Sequence, residues 1–279
     1  MSVPGGRPAW ETVRLARHPD RPYALDYVRA LGEELYELHG DRLTADDPAL
    51  VGALARWRGR RVMFLGQQKG RSLRERAARN FGMLHPEGYR KAVRLARLAA
   101  RFRVPVVCLV DTPGAYPGAE AEERGIGSAI GMAIVEWFRL RTPVVAAVIG
   151  EGGSGGALGL AVADRVLMLE HAIYSVAGPE ACASILWRDP ARREEAAEQL
   201  GLTAPYLLAA GLVDEVVPEP PGGAHMDPAR AARLLDGALG RHLDELLETD
   251  PDQLVRRRYD RFRAVDYGTE PIPTGGTSK

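Results

Sequence analysis

Two glycine-bearing stretches hold the residues most able to do chemistry: "DTPGAYPG" (Asp111–Gly118) and "IGEGGSGGAL" (Ile149–Leu158). The first follows the apolar run "VPVVCLV" and looks like the DTPG box of a nucleotide switch. Such switches wrap the phosphates with G-x-x-x-x-G-K-[ST], and the chain has no such string. Asp111 then has no magnesium–phosphate group to serve, so a GTPase is excluded. The second stretch contains G-x-S-x-G from Gly152 to Gly156, the hydrolase elbow pattern with Ser154 in the nucleophile's place. A serine triad also needs a histidine and usually an acid. Spacing assigns none of the six histidines (His18, His39, His85, His171, His225 and His242) to that role. A run this rich in glycine matches the pattern easily, so Ser154 reads as a helix N-cap or a small packing residue.

The glycines themselves carry the stronger signal. Glycine costs backbone entropy in regular structure, so a cluster needs a reason. At a strand-to-helix junction that reason is usually a ligand held by exposed N–H groups at the helix N-terminus, where a phosphate or a developing oxyanion is stabilised. Tight packing of the helix on a neighbour is the alternative. Both loops follow an apolar strand, and if those strands are neighbours the loops converge on one pocket.

The elements that must position these loops follow from periodicity and breakers. "WETVRLARHP" predicts a short helix stopped by Pro19. Leu25, Val28, Leu31, Leu35 and Leu38 recur at helical spacing and predict one helix ending at Gly40. "LVGALARWRGRRVMFLGQQ" predicts two strands joined by a tight turn at Arg58-Gly59-Arg60. A helix with Pro86 in its first turn and a basic outer face comes next. The two loop-bearing strands follow, each leading into a helix. "DRVLMLEHAIYSVAG" predicts two short strands, and "GLVDEVVPEP" a last one. Strand pairs followed by a helix suggest an α/β domain unlike the single-strand alternation of a doubly wound sheet. A long helix over 227–247 and a last one with five arginines close the chain, and "PIPTGGTSK" is expected to be a disordered tail. The arginines of that last helix are read as a solvated face.

Composition narrows the class. Basic and acidic residues number 37 each, so no global field draws nucleic acid or anionic lipid. No apolar run is long enough to span a bilayer, and the start lacks the regions of a secretory signal. The two cysteines, Cys108 and Cys182, lack metal-ligand spacing and read as buried free thiols of a reducing cytoplasm. No metal site is expected in this chain.

Longer motifs in order make the chain familiar. "LARHPDRPYALDY", "RNFGMLHPEGYRKA", "DTPGAYPG" with "AEERG", "IGEGGSGGAL", "YSVAGPEACASILW" and "AAGLVDEVVPEPPGGAH" closely resemble the alpha subunit of bacterial acetyl-CoA carboxylase carboxyltransferase. The resemblance runs from about Trp10 to Leu247. Ile126 stands where the family pattern would have a glutamine, which bears on local helix contacts. The family implies a crotonase-like (ClpP/crotonase) fold of repeated ββα units, with added N- and C-terminal helices. It also implies an extension over 1–21, a carboxyltransferase domain over 22–247, and a C-terminal helix and tail over 248–279.

The reaction so implied moves a carboxyl group from carboxybiotin, delivered by a carrier protein, to acetyl-CoA, giving malonyl-CoA for fatty acid synthesis. Its task is to stabilise two anions, the thioester enolate and the ureido oxyanion of biotin. By resemblance, Gly155 and Gly156 donate N–H groups to the biotin oxygen. Gly114, Ala115, Gly152 and Gly153 shape the rest of the substrate pocket. No cofactor is then bound covalently in this chain. The resemblance implies a zinc-bearing beta chain in a two-alpha, two-beta assembly, together with biotin carboxylase and the biotin carrier. No membrane or nucleic acid is needed. Two rivals use the same loops: a stand-alone crotonase-type hydratase or decarboxylase, and a Clp-like serine peptidase using Ser154.

Overall fold

The computed structural model describes residues 7–265. The tail expected to be disordered lies outside the described residues. The chain opens with helices α1 (Ala9–Ala16) and α2 (Ala24–Leu31), then strands β1 (Glu33–Glu37), β2 (Leu50–Trp57) and β3 (Arg60–Gln67). Helix α2 is where the helical spacing misleads. The single helix expected from Leu25 to Leu38 stops at Gly32, and the chain continues as β1, an edge strand antiparallel to β2. Gly32 is extended, and a side chain there would press on Ala55 and the Val28 carbonyl at 3.0 Å, so the chain turns close against β2 at this point. Leu35 and Leu38 still pack on the core, Leu35 from β1 and Leu38 from the residue just after it, instead of from a helix. The β2–β3 hairpin turns at Arg58 and Gly59, both at positive φ, as a two-residue loop requires.

Next come α3 (Leu73–Ala78), α4 (Pro86–Arg101), β4 (Val106–Thr112), α5 (Ala119–Glu123), α6 (Ile126–Arg139), β5 (Val144–Gly153) and α7 (Ser154–Ala161). Strands β6 (Arg165–Leu169) and β7 (Ile173–Ser175) and helices α8 (Pro179–Trp187), α9 (Arg193–Gln199) and α10 (Ala204–Ala209) precede β8 (Glu215–Val217). Helices α11 (Pro228–Leu247) and α12 (Pro251–Arg263) end the described chain. The strands form one sheet in the order β1-β2-β3-β4-β5-β6-β8, with β7 pairing beside the end of β5. Pairing is antiparallel from β1 to β3 and parallel from β3 onward. The strand–strand–helix rhythm holds at β2–β3–α3 and β6–β7–α8, whereas β4 and β5 each pass directly into a helix.

Every residue of β4 is buried, as is all of β5 up to Gly152, which is why both read as continuous apolar runs. Helix α4 packs on β2 and β3, α7 on β4 and β5, and α6 against α4 and α7. Both ends of the described chain are tied into this body. Helix α1 packs on α9 around Val13, Ala197 and Leu202, and Arg21 is buried against Glu219 at 2.5 and 2.9 Å.

The arginine-rich helix is not simply a solvated face. Arg258 of α12 is fully buried and donates to both carboxylate oxygens of Asp164. The central position on that helix is therefore a core anchor. Cys108 is buried in β4, but Cys182 on α8 is only partly covered, which corrects the expectation of two buried thiols. No helix among the described residues is long and apolar enough to cross a membrane.

Candidate active site

The two glycine loops leave neighbouring parallel strands, β4 and β5. Pairing runs in register from Val106 beside Val144 to Val110 beside Val148, then slips so that Thr112 lies beside Gly152. Asp111 fills the slip. Its carboxylate occupies the space a side chain at Gly150 would need, and its Oδ1 accepts the Glu151 N–H at 2.9 Å. The bulge re-aims the end of β5, and the residues after it cross directly over the first loop. A Cβ at Gly153 would collide with the Pro113 carbonyl, and one at Gly156 would lie 2.5 Å from Ala115 N and 2.6 Å from Gly114 O. The loops touch backbone to backbone, and only glycine permits it.

The expected site residues therefore come together, with different surroundings. Gly114 is open: a Cβ there meets nothing within 4 Å. Its N–H is nonetheless occupied, donating to Thr112 Oγ1 at 3.2 Å, while that hydroxyl donates to the Gly114 carbonyl at 2.6 Å. The Ala115 N–H makes no hydrogen bond among the described residues, and the following Tyr116 N–H goes to the Leu84 carbonyl. Gly155 is half-buried with ordinary room toward Ile130 at 3.8 Å. Gly155 and Gly156 lie at the N-terminus of α7, where N–H groups have no intrahelical partner and the helix dipole favours negative charge. Gly152 is buried with its Cα against the Tyr174 ring, and Gly153 is the crossing point over Pro113. One unpaired donor from the first loop thus lies against the helix N-terminus of the second.

Ser154 departs from the N-cap reading. Gly153 holds the cap position without a side-chain bond, and Ser154 is exposed with φ +49°. A left-handed serine is the geometry of a nucleophile elbow, and it costs on the order of 1 kcal/mol. The triad is missing, however: no histidine among the described residues hydrogen-bonds to Ser154. The strain serves the turn that lays α7 over Ala115. Ser154→Ala is expected to keep kcat within about threefold, whereas loss of a triad nucleophile costs several orders of magnitude. Steady-state assay of the folded variant checks it, and a drop of that larger size would revive the peptidase reading.

Charged residues stand behind the loops. Lys69, just beyond β3, lies 2.8 Å from Asp111 and 2.9 Å from Glu151, and Arg17 lies 2.7 Å from Glu151 and 2.7 Å from Glu180. Burial opposes the Lys69 charge, but the two carboxylates overcome it and hold its pKa above the ordinary lysine value. Burial likewise raises Glu151, and Lys69 and Arg17 outweigh it, leaving that carboxyl below its usual range. Gln67, fully buried at the end of β3, accepts the Asp111 N–H at 3.1 Å and donates to the Gly156 carbonyl at 2.8 Å. Motif reading missed Gln67, Lys69 and Arg17, because nothing local marks them as partners of residues 42 to 163 positions away.

Comparison with known proteins agrees with this architecture. The model of the family described as acetyl co-enzyme A carboxylase carboxyltransferase-like matches residues 7–266. The acetyl-coenzyme A carboxylase carboxyl transferase subunit alpha of Bordetella pertussis is 57% identical over 259 residues, covering 93% of this chain and 80% of that protein. Its counterpart in Methylococcus capsulatus is 52% identical over 263 residues, covering 94% and 82%. Among solved structures, a Pseudomonas malonate decarboxylase hetero-tetramer with coenzyme A superposes with a TM-score of 0.67 at 22% identity, over 86% of this chain and 94% of that one. Transcarboxylase 12S superposes with 0.62 at 24% identity, over 80% and 42%. These likenesses show the fold, which is crotonase-like. With a family model spanning nearly all of it and relatives more than half identical along its length, the chain belongs to the family of acetyl-CoA carboxylase carboxyltransferase alpha subunits.

Proposed function

We propose that this chain forms the biotin side of the carboxyltransferase site and works there with a zinc-bearing beta chain, the products being malonyl-CoA and decarboxylated biotin. The observation that carries the reading is the unpaired Ala115 N–H set against the N-terminus of α7, beside open space at Gly114. Carrier-borne carboxybiotin, when bound, brings the carboxyl group and a ureido oxygen on which negative charge develops. The Ala115, Gly155 and Gly156 N–H groups are fixed donors for that oxygen, and fixed dipoles need no reorganisation as the charge forms. The open face at Gly114 leaves room for the ring. None of these groups moves a proton, which suits a reaction whose proton acceptor is the substrate itself. An alpha subunit implies a beta partner. A complement of two alpha and two beta chains, the biotin carrier, biotin carboxylase and a cytoplasmic setting complete the proposal.

Its test is the division of labour. The purified chain alone is expected to give no malonyl-CoA turnover with free biotin, and to gain it when the candidate beta chain is added. Robust turnover by the isolated chain would favour the stand-alone decarboxylase or hydratase reading instead.

A further inference from the structure

Lysine is nearly absent from this chain, with three lysines against 34 arginines. Only Lys69 and Lys91 fall among the described residues, and both are enclosed. Lys91 is 1% exposed between Asp46 and the Leu50 carbonyl, and the Lys69 side chain is 14% exposed between Asp111 and Glu151. Arginine serves most of the surface, and Arg21 and Arg258 are themselves buried against carboxylates, each with its fork fully extended over several acceptors. A guanidinium is a broad planar fork, whereas an ammonium is a compact point charge with three donors. A gap that admits one small cation between two buried carboxylates selects the second.

Each of those carboxylates roots one loop of the active site. Asp111 immediately precedes residues 112–115, and Glu151 immediately precedes 152–156. The Asp111 oxygen that Lys69 touches also accepts the Glu151 N–H, so the ammonium sits at the join of the two roots. We propose that Lys69 is a positioning residue for carboxyl transfer: by neutralising Asp111 and Glu151 it draws the two loop roots to the separation at which the Ala115 and Gly155–Gly156 N–H groups face one oxygen. This rests on the function proposed above. Lys69 itself need not touch the substrate.

Other charges nearby cannot replace it. Arg17 binds Glu151 from the far side and divides its fork with Glu180, and Arg21 is committed to Glu219. Without Lys69, Asp111 would keep only neutral donors, and two buried carboxylates would face each other. Lys69 helps hold Glu151 below its usual range, and like charge and burial both raise carboxyl pKa values, so without the ammonium Glu151 would take up a proton more readily than in the wild type. A shared proton restores a carboxyl–carboxylate hydrogen bond and, with it, part of the spacing. The sign follows: relative to wild type, a Lys69→Met enzyme recovers as pH falls.

The experiment uses the alpha–beta complex, with kcat and KM for malonyl-CoA measured from about pH 6 to 8. Lys69→Met is expected to lower kcat at least about 100-fold at pH 8, the scale of losing an oxyanion donor, with KM within about threefold. The variant-to-wild-type ratio of kcat should rise at least about fivefold toward pH 6. Lys69→Met/Asp111→Asn removes the like-charge pair while keeping an oxygen for the Glu151 N–H. It should assemble and turn over at least about tenfold faster than the single variant, including where the single variant fails to assemble. A single variant retaining a third of wild-type kcat, a ratio flat with pH, or a double variant no better than the single would each overturn the role of Lys69. Absence of turnover in the wild-type complex would instead sink the proposed function.

Discussion

Gly156→Val is expected to lower carboxyl transfer by the alpha–beta complex at least about 100-fold and to lower the melting temperature with it. The two losses share one cause. A Cβ at this position would lie 2.5 Å from Ala115 N and 2.6 Å from Gly114 O, and those atoms are backbone that cannot swing aside. The loops must therefore separate, at a cost of about 1–3 kcal/mol for overpacking. The Ala115 N–H then no longer lies against the start of α7, and losing one such donor is worth about 100- to 1,000-fold in rate. Gly114→Val is the contrast, because a Cβ there meets nothing within 4 Å. It should leave the melting temperature within about 2 °C while slowing turnover, since the space it fills is the space proposed for biotin. Melting curves and kcat on the same preparations decide both. Normal turnover in a stable Gly156→Val complex would remove Gly156 from the site, and normal turnover in Gly114→Val would remove Gly114 from the pocket.

The largest effect on stability is expected from Arg258→Met. The guanidinium donates to both oxygens of Asp164, at 2.9 and 2.7 Å, and to the carbonyls of Trp137, Leu140 and Thr142 at 2.5, 2.9 and 3.1 Å. It closes the end of α6 onto the start of β5, and Asp164 in turn accepts the Val144 N–H at 2.8 Å. Burial pushes the Asp164 carboxyl above its ordinary value even with Arg258 beside it. Methionine fills the volume but leaves a buried charge and three carbonyls without their partner, a loss of about 3–5 kcal/mol. For a domain of this size that corresponds to a fall of roughly 10 °C. The anchor lies at the opposite end of β5 from the glycine loop, so kcat of the enzyme that remains folded should stay within about twofold. Calorimetry showing a fall below about 3 °C would mean that α12 merely rests on the surface.

Much of the machinery was legible in the chain itself. The apolar runs of β4 and β5 are buried on both faces, so composition alone marks them, and the Arg58–Gly59 turn is set by local backbone preference. The glycine clusters announced close approach of backbone, and the order of long motifs announced the family. Local signals failed where a partner distant in the chain decides. Leu35 and Leu38 suit a helix by spacing, yet Gly32 and an open edge on β2 make a strand the better way to bury them. Ser154 suits an N-cap, yet the crossing of the two loops forces it left-handed and exposed. Arg258 suits a solvated face, yet it lies opposite a buried aspartate 94 residues away. Periodicity and motif thus determined which residues are apolar, tight or reactive. Only the tertiary structure decided which carboxylate meets which cation and which N–H is left without a partner, because those depend on strand pairing and register that no single stretch of chain contains.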